Sequence, residues 1–145
     1  MGSFVVDVSG VEGSIRDFPN GPVEATVKEA KLDVAKSSGN QMVVMKLELY
    51  HPSVGSAVIT DRLPAAFPAK VKSFWKAVND FTEEEIAANP QVEIDPPSLI
   101  GAQLIVQIGD KENKDTGASY KDITPPWYYP LSRAAELLAE PDAPL

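Results

Sequence analysis

The chain has 145 residues, thirteen Lys and Arg against twenty-one Asp and Glu, a net charge of −8, no cysteine and one histidine. That length suits one domain with a core large enough to need no disulfide or structural metal, and the missing thiols exclude thiol catalysis, disulfides and cysteine-ligated zinc. One histidine leaves no histidine-rich metal site, and the acidic balance argues against a protein that coats duplex DNA by bulk attraction.

Phe4 to Val8 is a short apolar run, followed by a Gly-rich stretch and the turn signal Pro19-Asn20-Gly21-Pro22, so the chain opens with a strand or arm. From Val23 the residues alternate, with Val23, Ala25 and Val27 on one face and Glu24, Thr26 and Lys28 on the other. Past Glu29 the phase flips and Ala30, Leu32 and Val34 become the apolar set, which a bulge near Lys28-Glu29 would produce. Ser37 to Asn40 reads as a turn. Val43, Met45, Leu47 and Leu49 then point inward, with Val44, Lys46, Glu48 and Tyr50 outward. A second turn at Pro52 to Gly55 leads to a third strand, Ala57 to Leu63, completing a three-stranded meander.

Pro64 and Pro68 end that strand, and Val71, Phe74, Trp75, Val78 and Phe81 recur at helical spacing, which predicts a helix plugging one end of the sheet structure. Thr82-Glu83-Glu84-Glu85 has capping-box spacing and opens a second short helix that Pro90 ends. Ala102, Leu104, Val106 and Ile108 predict a fourth strand, Gly109 to Gly117 a charged loop, and Ser119 to Thr124 a short fifth strand stopped by Pro125-Pro126. Leu131 to Glu140 has room for one or two amphipathic turns before a proline-rich tail.

Three strands, a helix and two more strands are the order of an OB fold, a mainly β, five-stranded Greek-key barrel with an α-helix between strands 3 and 4, which commonly binds oligonucleotides or oligosaccharides. The expected organisation is an N-terminal strand or arm over 1–21, an OB-like barrel domain over 22–130, and a C-terminal short helix with a mobile acidic tail over 131–145. No basic leader opens the chain and nowhere do eighteen apolar residues follow one another, so a cytoplasmic protein with no membrane contact is expected.

Sites of chemistry are scarce. Successive residues Glu83, Glu84 and Glu85 diverge by about 100° on a helix and cannot converge on one ion, so they read as a solvated first turn. Asp110, Glu112 and Asp115 lack the glycine and closing Glu of a calcium loop, and no Gly-rich loop runs into Lys-Ser or Lys-Thr. His51 has no recognisable partner and reads as a surface residue. No cofactor and no enzymatic activity are expected.

Gly21 to Val27, Lys36 to Met42, Phe74-Trp75-Lys76 and Leu99 to Leu104, taken in that order across about residues 18–124, resemble a family of tailed-phage proteins that includes single-stranded-DNA-binding members with OB-like folds. The resemblance implies a phage replication or recombination accessory that protects single strands in the host cytoplasm; the net charge of −8 departs from that pattern. The end of the chain, Glu140 to Leu145, is similar in miniature to the acidic tails with which single-strand-binding proteins dock on replication or recombination proteins. A frayed terminus is the alternative reading.

Single-strand binding calls for cations along the backbone and aromatic platforms for bases. On polar strand faces and in the loops OB barrels use, the candidates are Lys31, Lys36, Lys46, Tyr50, Lys111, Lys114, Tyr120 and Lys121; each lysine read singly is equally a device that keeps strand edges soluble. From Arg62 to Lys76 four bases occur with no acid, and from Asp80 to Asp95 six acids with no base, which predicts a polarised surface, a basic patch able to meet phosphates on one side and an acidic side facing elsewhere. Trp75 reads as core, and Trp127-Tyr128-Tyr129 as a barrel cap, then a stacking surface, then a subunit contact. The competing class is a protein-interaction or assembly module, possible also as a homo-oligomer, on the same scaffold without nucleic-acid binding.

Overall fold

Alternating apolar and polar residues become five antiparallel strands in the order β3-β2-β1-β4-β5. The computed structural model describes Ser3 and residues 15–34 and 39–138. The strands are β1 (Gly21–Val34), β2 (Gln41–His51), β3 (Gly55–Pro64), β4 (Gln103–Glu112) and β5 (Ser119–Pro130), with helices α1 (Pro68–Asn79) and α2 (Glu83–Ala88) between β3 and β4, and the short α3 (Ala134–Leu137) after β5. The opening run Phe4 to Val8, Lys36 with Ser37 and Ser38 of the turn after it, and the tail beyond Leu138 lie outside the described residues. Among the described residues no helix is long and apolar enough to cross a membrane.

The bulge in β1 falls where the phase flip puts it, between Val27 and Glu29. Below it β1 has neighbours on both sides, since Gly21 to Thr26 pair with β4 while Glu24 to Val27 already pair with β2. At the bulge the Val27 carbonyl accepts from Gly101 N–H at 2.8 Å and the Val27 N–H donates to the Ala102 carbonyl at 2.9 Å. β4 therefore parts from β1 there, and the upper half of β1 pairs with β2 alone. This explains a departure from the expected inward set: Ala30 is half-buried, but Leu32 is 60 % exposed and Val34 is exposed as well.

Val23, Ala25, Val27, the Val43 to Leu49 series, Leu104, Val106 and Ile108 form the core face, as their alternation predicts. Among the described residues no ladder joins the outer strands β3 and β5, so the sheet is open. Side chains span the gap instead. α1 packs on β5 and β3, with Phe74 buried and edge-on to Tyr128 at 5.3 Å between centroids. Ser73 Oγ donates to the Pro126 carbonyl at 2.7 Å and accepts from the Tyr128 N–H at 3.2 Å. The Tyr128 hydroxyl donates to Asp61 Oδ2 on β3, and Lys70 of α1 donates to Asp61 Oδ1 at 2.7 Å. The 3₁₀ turn Ile15–Asp17 packs against both outer strands, and Phe18 just after it is buried in the core. Phe18 meets His51 edge-on at 6.1 Å, and His51 Nδ1 accepts from the Ser53 N–H at 3.1 Å, so this histidine is half-buried and partnered, not a free surface residue.

Two boundaries differ from the sequence expectation. β4 runs on to Glu112 because charged residues there pair across the ladder, Asp110 opposite Lys121 and Lys111 opposite Tyr120; the loop shrinks to the turn after it. β5 does not stop at Pro125-Pro126. The register breaks between Val106 and Ile108 of β4, which face Tyr128 and Ile123, so the prolines sit in a bulge where no ladder N–H is needed. The Pro125-Pro126 bond is cis, Trp127 has φ 66°, and pairing resumes through Pro130.

Trp127, Tyr128 and Tyr129 consequently separate. Trp127 packs edge-on against Phe67 at 5.3 Å beside the core, Tyr128 is buried, and Tyr129 lies on the other face with its hydroxyl on Gln107 Oε1 at 3.3 Å and the Arg133 guanidinium 5.2 Å from its ring. Trp75 is half-buried at the side of α1, outside the core cluster that Phe74 and Ala77 join.

Candidate nucleic-acid interface

Because residues opposite one another in an antiparallel ladder share a face, the registers of β1, β2 and β3 align the outward side chains in rows. Lys31 faces Val44, and Val44 faces Arg62; one step along, Glu29 faces Lys46 and Lys46 faces Thr60. Lys31 and Arg62 are thus two strand spacings apart, about 10 Å, with Val44 between them. These rows line a trough of about 780 Å³ whose floor is apolar, formed by Met42, Val44 and Ile100.

Lys31 and Arg62 are exposed and have no charged side-chain partner among the described residues. Lys46 lies 3.6 Å from Glu29, both more than half exposed, and a pair that long in water contributes little and is easily exchanged for another anion. Asp33, the second acid lining the trough, accepts from its neighbour's Val34 N–H at 2.8 Å. Cations beside apolar floor is an arrangement that takes up an extended polyanion whose other side is flat and apolar.

The remaining sequence-predicted residues lie elsewhere. Tyr50 is 49 % exposed but stands six residues down β2 from Val44, about 20 Å along a strand, in a corner with Glu24 and Glu48. Lys111, Lys114, Tyr120 and Lys121 belong to the β4–β5 hairpin, which overhangs the start of β1, since Gly21 pairs with Ile108. There Lys111 pairs with Asp122 at 3.1 Å, and Lys121 with Asp110 at 3.3 Å and with Asn20 Oδ1. Hydrogen bonds from Asn20 first, and from Lys121, hold the Asp110 carboxyl below its usual range. Tyr120 is exposed, and Lys114 sits exposed in the turn. The hairpin and the trough occupy opposite ends of the sheet, so these lysines do not form one groove with Lys31 and Lys46.

The basic stretch from Arg62 to Lys76 is not a patch in space. Lys70 is drawn into the Asp61 site, and Lys72 and Lys76 both bind Glu83, at 2.8 and 2.5 Å. Those two ammonium groups, Lys72 first, hold the Glu83 carboxyl down at about 2 from its ordinary value of 4.5. Arg62 alone of the four joins the trough. It was missed as a site residue because its place beside Lys31 depends on the registers of two ladders; the signal available was its outward phase relative to Ala57 and Leu63.

Among the described residues no three His, Asp or Glu side chains are grouped to hold a metal ion. No protein-family model matches the chain, and a search of curated proteins found no match.

Proposed function

We propose that the protein is a non-catalytic single-stranded-DNA-binding module built on an OB-like scaffold, with the trough across β1, β2 and β3 as its interface. The observation that carries this reading is the pair Lys31 and Arg62, abreast across the ladder, free of charged partners among the described residues, beside Lys46 and above an apolar floor. The strand order, the helices between β3 and β4 and the bulge in β1 support the OB-like scaffold, with the Asp61, Lys70 and Tyr128 contacts standing where a closing ladder would be. The likeness of Gly21 to Val27 and the other segments to tailed-phage proteins supports a role as a replication or recombination accessory.

In mechanism, Lys31, Arg62 and Lys46 neutralise successive phosphates while bases lie on Met42, Val44 and Ile100. Aromatic stacking contributes about 1–3 kcal/mol per base where it occurs, and no aromatic side chain lines this trough. Affinity is therefore modest and sequence preference slight. The test is a titration of fluorescein-labelled oligo-dT by anisotropy. Three phosphate contacts on a single strand give a log–log salt slope of about −2, or roughly a 20-fold loss between about 50 and 200 mM salt. Lys31→Ala with Arg62→Ala should bring the slope to about −0.7. Absence of binding at the lower salt, with a salt-insensitive oligomer, would instead select the assembly-module reading.

A further inference from the structure

Above its bulge β1 is an edge. β4 pairs with β1 only as far as Thr26 and takes the Val27 N–H and carbonyl through Ala102 and Gly101; past that point β2 is the one described strand beside β1. The Val34 N–H marks which backbone groups face the open side, because it donates to the carboxylate of its neighbour Asp33 at 2.8 Å and not to a strand. Backbone groups alternate in direction along a strand, so Leu32 and Ala30 present theirs on the same edge. The outer edges of β3 and β5 are bridged by α1 and by the Asp61, Lys70 and Tyr128 contacts. Among the described residues no strand pairs with the upper edge of β1, and such an edge is a template for another strand.

The side chains along it choose which strand. Two copies joined about a two-fold axis must be complementary to themselves, and residues directly opposite in an antiparallel pair share a face. With the axis at Leu32, Leu32 meets its own copy, Lys31 stands opposite Asp33 of the second copy, and Ala30 opposite Val34. Opposite charges then face each other on both sides of the axis, and Leu32 and Val34, exposed in the single chain, are covered. Other registers fail. An axis at Lys31 sets Lys31 against itself and Glu29 against Asp33, and an axis at Asp33 sets acid against acid. An axis at Ala30 drives Asp33 and Val34 onto Val27 and Thr26, whose edge is already taken by Ala102 and β4.

We infer that the protein self-associates through this edge, as an antiparallel dimer whose β1 strands pair about a two-fold axis at Leu32. The sheets become continuous in the order β3-β2-β1-β1-β2-β3, and the two troughs come side by side on one face. In the dimer the Val34 N–H passes from Asp33 to the Ala30 carbonyl of the second copy, and the freed carboxylate turns to Lys31 across the axis. That ion pair is exposed and exchangeable, as the Lys46 and Glu29 pair is. The paired stretch is short and buries less than the roughly 1,200 Å² at the low end of standard interfaces, so association lies in the micromolar-to-millimolar range. The inference does not depend on DNA binding and its test contains no nucleic acid.

Sedimentation equilibrium of the full chain, from about 10 µM to about 1 mM, should show monomer passing to dimer across the concentrations of a weak interface. Lys31→Asp and Asp33→Lys change exposed residues outside the core. Each sets like charges opposite one another twice per dimer and should weaken it about fivefold or more. Combined in one chain they restore opposite signs and should recover most of that loss. The chain has no cysteine, so a mixture of Lys31→Cys and Asp33→Cys chains reads the register directly. Opposite residues of a non-hydrogen-bonded pair lie about 4.5 Å apart between Cα atoms, within disulfide reach, so under mild oxidation the mixture should cross-link faster than either chain alone. A monomer at the highest concentration, single variants that dimerise like the unchanged chain, a double variant as weak as the singles, or a mixture that cross-links no faster than its components would each overturn the inference.

Discussion

Asp61 occupies a position that the alternation of β3 assigns to the core, and it is 5 % exposed. A buried carboxylate persists only when its charge and lone pairs are met, and here Lys70, Tyr128 and the Arg62 N–H meet them. Removing the hydroxyl with Tyr128→Phe should cost about 1.5–3 kcal/mol, the range for a hydrogen bond to a charged group. Asp61→Asn, which leaves the Lys70 ammonium without its anion, should cost about 3 kcal/mol or more. Urea denaturation of both variants checks these values. Burial first, and then the Asp61 charge, push the Tyr128 phenol well above its ordinary value of 10.0. A pKa raised by folding stabilises the native state fully below pH 10 and is lost as pH rises above it. In a 295 nm absorbance titration, Tyr128 should therefore ionise only with unfolding. Gly109 is the other demanding residue, since a methyl there would press on Thr124 Oγ1 and stand 2.9 Å from its Cγ2. Gly109→Ala should destabilise by about 1–3 kcal/mol through overpacking, and adding Thr124→Ala should recover most of that loss; thermal melts of the single and double variants decide it.

At the scale of elements, α1 and α2 are tied by Glu83, which binds both Lys72 and Lys76, while the Thr82 and Glu85 capping box fixes where α2 begins. Because folding lowers the Glu83 pKa from 4.5 to about 2, this tie is complete above pH 4.5 and is lost as pH falls through 2. The Glu83 side-chain carbonyl resonance should titrate near 2, and Lys72→Met should move that midpoint up toward 4.5. β5 teaches the opposite lesson about local signals. A Pro-Pro pair reads as a strand stop, yet on a strand with one neighbour it sits in a bulge and lets Tyr128 reach Asp61 across the open side of the sheet.

Considered whole, the molecule carries a charge of −8 and so repels a polyanion at long range. Any DNA affinity must come from the local field of the trough, where Glu29 and Asp33 compete with Lys31, Lys46 and Arg62. Glu29→Gln releases Lys46 and removes a like charge, so oligo-dT binding should tighten about two- to fivefold at low salt, the scale of one exposed charge pair, with the gain vanishing at high salt. Anisotropy at several salt concentrations measures both effects.

Local pattern alone determined the order of strands and helices, the helix spacing, the bulge near Lys28 and the α2 cap, though not where β4 and β5 end, because periodicity and capping depend on residues a few positions apart. It also identified Lys31 and Lys46 as outward-facing cations. Only the tertiary structure decided which charges survive: it put Lys70, Lys72, Lys76, Lys111 and Lys121 against carboxylates and left Arg62 beside Lys31. Pairing between charges depends on strand register and helix docking, relations between residues far apart in the chain, and no count of lysines along a sequence contains them.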